Sequence, residues 1–339
     1  MKVLVTEPID EKGYDLLREH NLEIVYGTGI ETATVIREAQ GCVGILTRNA
    51  RLDAQVMDAC PDLRVLSMHG VGVDDIDVDA ATERGIQVTN AAGSNQEAVA
   101  EYTIGLILML AKHAVDYNNG LKQYDMSVRA TKGQEIFGKT LGIIGMGNIG
   151  TQVAKMAAHG LGMHVIGYNR HITGIQQTSF GILSGNMKKV IEAADYLSLH
   201  VPGNASTRHM IGAEQLSWMK PTAYLINTAR GTVVDEAALI RVLQEKKIAG
   251  AALDVFEGNL PKPDNPLLAM PNVIVTPHTA AFTVEALQRM AYQAALGIVE
   301  VVENKPVSFP VNHLHDSFED RQEVKDVMDY FRYEFNIND

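Results

Sequence analysis

LGIIGMGNIG, Leu141 to Gly150, is the stretch that decides the fold. Leu141, Gly142, Ile143 and Ile144 read as a short buried strand. Gly145, Gly147 and Gly150 follow at the G-x-G-x-x-G spacing, and Ile149, Val153, Met156 and Ala157 carry the apolar period of a helix. In a strand–turn–helix context each glycine has a physical task. Gly145 permits the tight turn, Gly147 lets backbone N–H groups approach a pyrophosphate, and Gly150 lets the helix pack on the strand. The helix N-terminus adds partial positive charge for the phosphates. The stretch implies a dinucleotide-binding βαβ unit.

Upstream, KVLVT (Lys2–Thr6), LEIVY (Leu22–Tyr26), GILT (Gly44–Thr47), RVLSM (Arg64–Met68) and IQVTN (Ile86–Asn90) read as strands separated by amphipathic segments. That alternation predicts a complete parallel sheet covered on both faces. Asn95 to about Asn119 reads as one long crossover helix, and a polar, glycine-bearing loop runs to Gly138. Downstream strands are expected at Met163–Tyr168, Tyr196–Val201, Ala223–Thr228, Gly250–Phe256 and Val273–Pro277. Thr283 to Glu303 forms a second long helical pattern, and the tail from Asn312 to Asp339 is charged and weakly helical.

At 339 residues the chain has room for two domains. Its 46% hydrophobic and 21% charged residues are those of an ordinary globular protein. A formal net charge of -12 argues against non-specific nucleic-acid or anionic-membrane binding. Cys42 and Cys60 lack metal-ligand or C-x-x-C spacing and read as buried thiols, so no metal site is expected. MKVLVTEP enters a strand directly, and the longest apolar stretch, Ile104–Ala111, is far short of the roughly 20 residues that span a bilayer. A cytoplasmic location is expected.

The residues past the second strand of the glycine-bearing unit bear on the nucleotide. An acid usually holds the adenosine ribose 2′-OH there. Here Asn169 stands in its place and Arg170 follows. Without the carboxylate nothing repels a 2′-phosphate, and a guanidinium can pair with one in bidentate fashion. NAD and NADP both stay open, with the balance leaning to NADP.

Several separated motifs then coincide: HGVGVDDID (His69–Asp77), NQEAVAE (Asn95–Glu101), GKTLGIIGMGNIG (Gly138–Gly150), HVPGNASTRHMI (His200–Ile211), INTARGTVVDEAAL (Ile226–Leu239), AALDVFE (Ala251–Glu257) and TPHTAAFT (Thr276–Thr283). In this order and spacing the chain resembles the D-isomer-specific 2-hydroxyacid dehydrogenases. The resemblance implies a Rossmann cofactor domain (98–283) inserted into a flavodoxin-like substrate domain (1–97 and 284–339), both of them doubly wound α/β parallel sheets. It implies hydride transfer between NAD(P)H and a small 2-keto acid, giving the D-2-hydroxy acid. Such a reaction needs a cation for the carboxylate, an acid for the carbonyl oxygen and a nicotinamide for the hydride.

By the resemblance Arg230 clamps the carboxylate, where a bidentate guanidinium is more directional than a lysine. His278 is the general acid/base, a role suited to a side chain titrating near neutrality. Val71, Gly72 and Val73 form the substrate loop, with glycine at 70 and 72 expected to give φ freedom to a nest of N–H groups. Asn148, Ile149, His200, Val201, Pro202, Thr207, Thr228, Ala229 and Asp254 join the glycines as cofactor-contacting positions. Arg48 and Arg51 are candidates to read the substrate's distal group. His69 borders the substrate loop and could line the site, but reads more simply as incidental. One departure stands out: the glutamate that usually partners the histidine is replaced by Asn259, with Glu257 two residues earlier. An amide can orient the ring but supplies no charge. The alternative function is a nucleotide-sensing, corepressor-like binding protein of the same fold; an adenosylhomocysteinase-like enzyme lacks its characteristic motifs here. Family members pair through their cofactor domains, so a homodimer is expected, with Tyr102–Ala111 the candidate contact.

Overall fold

The alternation of apolar strands and amphipathic helices resolves into two sheets in the computed structural model, which describes residues 1–258 and 260–314. Asn259 and the 315–339 part of the charged tail lie outside the described residues. The chain divides into two compact units, one of Met1–Asn95 together with the chain from Thr283 on, the other of Gln96–Phe282.

The first unit holds β1 (Lys2–Val5), β2 (Glu23–Tyr26), β3 (Cys42–Thr47), β4 (Val65–Met68) and β5 (Gln87–Thr89). They form one parallel sheet in the order β2-β1-β3-β4-β5. Successive side chains point to opposite faces of a strand. Leu4, Ile45 and Leu66 accordingly enter one helical layer with Val35, Val56 and Ala81. Val3, Val5, Leu46 and Val65 enter the other, with Leu17, Ala294 and Ile298. Both faces being covered, the strands read as almost unbroken apolar runs. The helix Val284–Val302 completes this unit and is capped by Thr283, whose hydroxyl accepts the Ala286 N–H at 3.1 Å.

The second unit holds β6 (Thr140–Ile144), β7 (His164–Tyr168), β8 (Ile175–Thr178), β9 (Gly181–Ser184), β10 (Tyr196–Leu199), β11 (Tyr224–Asn227), β12 (Gly250–Leu253) and β13 (Val273–Val275). Their order is β13-β12-β11-β10-β6-β7-β9-β8. The run β9-β7-β6-β10-β11-β12 is the 3-2-1-4-5-6 order of a dinucleotide-binding Rossmann sheet. The molecule is thus a two-domain α/β protein whose Rossmann domain is inserted, in sequence, into a flavodoxin-like one.

Three local features differ from the sequence reading. The helix expected over 95–119 is broken at His113, whose φ of 50° is left-handed, into Gln96–Lys112 and Ala114–Lys122 with a 65° bend. The Ala111 carbonyl, which a continuous helix would engage, instead accepts the Gln134 N–H at 2.7 Å. No single helix among the described residues is long and apolar enough to cross a membrane. Second, the apolar run Tyr102–Ala111 is divided, with Leu106, Ile107, Leu110 and Ala111 in the core of the second unit and Tyr102, Ile104, Leu108 and Met109 partly exposed. The large apolar side chains left exposed nearby are Leu121, Tyr124, Met126 and Phe137. Third, an antiparallel hairpin, β8–β9, occupies 175–184 where no element was expected. Its turn is closed by the Thr178 hydroxyl donating to the Gly181 carbonyl at 2.9 Å.

Candidate active site

Strands β11, β12 and β13 are neighbours in one parallel sheet, so their carboxyl ends lie side by side. Ligands of open parallel sheets bind outside such ends. After β11 the chain turns through Thr228, Ala229 and Arg230. Asn227 makes this turn by itself: its Oδ1 accepts the Ala229 N–H and its Nδ2 donates to the Arg230 carbonyl, both at 3.0 Å. Short amide side chains favour this local closure. Gly231 follows because a Cβ there would collide with the Phe256 carbonyl. The Arg230 guanidinium donates to the Ala229 carbonyl at 2.8 Å.

After β12 comes Asp254, completely buried. Its Oδ1 accepts the Thr276 hydroxyl at 2.6 Å and the Thr279 N–H at 2.9 Å, and its Oδ2 accepts the Ala280 N–H at 2.9 Å. Its carbonyl also takes the His278 N–H at 2.8 Å. Four contacts from one side fix the loop that follows β13. Within it His278 stands at φ 55°, a conformation an L side chain adopts at a cost of order 1–2 kcal/mol. A non-glycine outlier held by so many bonds is the kind of strain that concentrates at functional positions.

The glycine turn after β6 is built as its sequence implies. Gly145 has φ 100°, and a Cβ there would strike the His200 carbonyl; one on Gly150 would strike the Gly145 carbonyl. Gly147 differs, since a Cβ would meet nothing within 4 Å. It is the N-cap of the helix Asn148–Lys155, and no side chain among the described residues caps that helix. Open space before uncapped helix N–H groups suits a pyrophosphate. Ile149 packs against the core below. Burial pushes the His200 imidazole down to about 3, leaving it neutral, with Ser198 Oγ 2.8 Å from its Nε2.

A family model described as "D-isomer specific 2-hydroxyacid dehydrogenase, NAD binding domain" matches residues 104–280. The chain is 38% identical over 313 residues to a D-3-phosphoglycerate dehydrogenase of Archaeoglobus fulgidus, covering 92% of this chain and 59% of that one. It is 38% identical over 307 residues to a glyoxylate reductase of Korarchaeum cryptofilum, covering 88% and 92%. It therefore spans only part of the phosphoglycerate dehydrogenases it matches. Among solved structures, an NADPH-dependent glyoxylate/hydroxypyruvate reductase of Sinorhizobium meliloti, in complex with NADP and malonate, superposes with TM-score 0.83 at 31% identity, covering 92% and 97%. The chain belongs to the D-isomer specific 2-hydroxyacid dehydrogenase family.

For this family member, the structure gathers Arg230, Asp254, His278, Thr228 and Ala229 at the ends of β11–β13. Thr228 Oγ1 lies 3.0 Å from Thr103 Oγ1. Thr207 donates to the Pro202 carbonyl at 2.6 Å and accepts the Asn204 N–H at 3.0 Å, so its hydroxyl closes the loop after Val201. At the end of β7 the Asn169 side chain accepts the His171 N–H at 2.9 Å, and Arg170 Nε lies 3.2 Å from His171 Nε2. Asn259 lies outside the described residues. Glu257 is directed elsewhere: its Oε1 is 2.5 Å from His209 Nε2 and 3.6 Å from Arg208 Nη2.

In the first unit the Val71 carbonyl accepts from Asn90 Nδ2 at 2.7 Å and the Gly70 carbonyl accepts the Ala91 N–H at 2.8 Å. So pinned, neither Gly70 nor Gly72 takes a positive φ, and the expected conformational freedom is not used. Arg48 follows β3, with its Nη1 3.3 Å from the Pro8 carbonyl. Arg51 is largely exposed, beside Asp53.

Sequence reading passed over Asn227 and Thr276, whose only signal was an Asx- or Thr-bearing strand end before a turn. It also passed over Glu236, which accepts the Glu257 N–H at 3.0 Å and the Asn265 amide at 2.7 Å. The Asp254 contacts generate a prediction. Asp254→Asn keeps one acceptor but turns an NH₂ toward the Ala280 N–H, or else loses the Thr276 and Thr279 contacts. Stability should fall by about 1–3 kcal/mol, the cost of a buried unmade hydrogen bond. Urea denaturation of the variant measures it, and an unchanged midpoint would contradict the assignment.

Proposed function

We propose that this chain reduces a small 2-keto acid to the D-2-hydroxy acid with NAD(P)H. The observation that carries the reading is the pairing of an arginine turn after β11 with a left-handed histidine after β13, the histidine's loop fastened to Asp254 of β12. The open N-terminus at Gly147 fits a dinucleotide pyrophosphate, with Asn148 and Ile149 offering the first helix N–H groups. The bound nicotinamide supplies the hydride. Arg230 pairs with the substrate carboxylate and draws charge from the ketone oxygen. His278 gives its proton to the carbonyl oxygen during reduction and takes it back during oxidation. Asn259 orients the ring without charging it. The N–H groups of the 71–73 loop and Arg48 are assigned to the substrate. A panel of glyoxylate, hydroxypyruvate, phosphohydroxypyruvate and pyruvate, with NADH and NADPH, tests the proposal. Absence of turnover with every pair would favour a nucleotide-sensing protein instead.

NADP is the preferred cofactor in this reading, supported by Asn169 and Arg170 and by a relative named as NADPH-dependent. Arg170→Ala should weaken NADPH binding by about 1.5–3 kcal/mol, the scale of a charged hydrogen bond, with little effect on NADH. Titration calorimetry with both cofactors distinguishes this from equal losses, which would remove Arg170 from discrimination.

The pH profile probes position 259. A carboxylate beside an imidazole favours its protonated form. Reduction needs that form, so Asn259→Glu should carry the alkaline limb of kcat/KM for reduction upward by about one pH unit. Glu257→Gln should leave the limb in place, since that carboxylate sits on His209 and Arg208. The reverse pattern would make Glu257 the partner of His278.

A homodimer is proposed, joined through the partly exposed side chains of the Tyr102–Ala111 run and the exposed apolar side chains between Leu121 and Phe137. Light scattering at micromolar concentration checks it, and a monomer mass would contradict it.

A further inference from the structure

Three loops of the second unit, those after β10, β11 and β12, meet at the Arg230 turn. The loop after β10 runs to His209, whose N–H donates to the Thr232 carbonyl at 2.8 Å. Two residues on, the Ile211 N–H donates to the Val233 carbonyl and the Ile211 carbonyl accepts the Asp235 N–H, both at 3.0 Å. The loop after β12 reaches the same segment from another strand end. Gly231 lies so near the Phe256 carbonyl that a Cβ would collide with it, and the Glu257 N–H donates to Glu236 Oε2 at 3.0 Å. Residues 231–236, directly after Arg230, are thus held by both neighbouring loops.

One side-chain pair joins those two loops to each other. His209 Nε2 lies 2.5 Å from Glu257 Oε1, with Arg208 Nη2 3.6 Å from the same oxygen. The contacts close into a ring: 209 to 232, 231 to 256, and 257 back to 209. Folding alone gives no reason for two of its features. His209 stands at φ 50°, a left-handed backbone that glycine enters with far less strain. The pair itself is partly open to solvent, the side chains being 39% and 33% exposed, and such pairs add little to stability. A strained residue carrying a contact of small stabilising value, beside the candidate substrate-binding arginine, fits a role in geometry.

We propose that His209 and Glu257 are positioning residues for Arg230. Their contact clamps the loops after β10 and β12 onto the turn after β11, and so sets the direction of the guanidinium toward the substrate carboxylate. This rests on the reductase reading above. The carboxylate is present in the ground state and the transition state alike, so a misdirected Arg230 weakens substrate binding first and turnover less. The glycine turn follows β6, and Asn169 and Arg170 follow β7, all outside the ring. Cofactor affinity is therefore expected to stay.

His209→Gly separates positioning from folding, because glycine keeps the left-handed backbone and the Thr232 bond while deleting the imidazole. In the full chain it should raise KM for the best substrate of the keto-acid panel by about 5- to 20-fold, with kcat lowered by no more than about threefold. The Kd for NADPH and NADH should hold, and the urea midpoint should stay at or above the wild-type value. Glu257→Ala should raise KM equally, and the double variant should be no worse than either single change, as for two members of one contact. Glu257→Gln, whose amide oxygen still accepts from the ring, should recover most of the wild-type KM. Unchanged KM in His209→Gly and Glu257→Ala overturns the assignment. So does a joint loss of substrate affinity, turnover, cofactor affinity and urea midpoint, which would make the pair a structural tie. Either result leaves the reductase reading intact, whereas a wild type that turns over no keto acid overturns both.

Discussion

A buried carboxylate holds the candidate site together. No cation neutralises Asp254 among the described residues; its oxygens are engaged by one hydroxyl and two backbone N–H groups of a single loop. Removing a carboxylate from water is costly unless its lone pairs are taken up, and three donors do that here. The consequence is geometric. Residues 276–280 cannot move independently of β12, and the left-handed backbone of His278 is sustained by its surroundings. The turn carrying Arg230 meets the same strand end, since Gly231 packs against the Phe256 carbonyl and Asp254 N–H donates to the Asn227 carbonyl at 3.0 Å. A cation and an imidazole separated by 48 positions in sequence thus share one support.

The first unit repeats the device with different residues. Burial pushes the Glu7 carboxyl up, but the N–H groups of Arg48 and Asn49 outweigh it and the net displacement is downward. The acid after β1 shapes the loop after β3, as the acid after β12 shapes the loop after β13. In both cases a parallel sheet supplies adjacent strand ends, and an acid at one end orders the loop at the other. Parallel sheets leave their functional loops on one edge, so such cross-strand bracing gives precise placement to segments with no regular structure of their own.

What the sequence makes legible follows from range. The glycine turn, the Asn227 turn and the strands around them depend on neighbours within a few residues, and their residue types suffice. The pairing of Asp254 with a loop some 25 positions later depends on which strands lie side by side, which periodicity does not encode. The same holds for Glu257. Its place in the chain invites pairing with His278, yet His209 and Arg208 lie on a loop that the fold brings to its side. The break at His113 was hidden for another reason. Apolar spacing continues smoothly across it, and only the competing Gln134–Ala111 bond ends the helix.

The end of β7 separates what the fold requires from what a ligand would require. Asn169 accepts the His171 N–H through Oδ1, and its own N–H donates to the Ser184 carbonyl at 3.1 Å, tying the turn to the hairpin strand β9. An aspartate could accept the same bond from His171, because either carboxylate oxygen serves. The backbone therefore gives no reason to prefer the amide. What the amide changes is charge: with aspartate the turn would carry a negative group next to Arg170, and with asparagine it does not. That charge difference, rather than any difference in backbone support, is what the proposed preference for a doubly charged 2′-phosphate rests on.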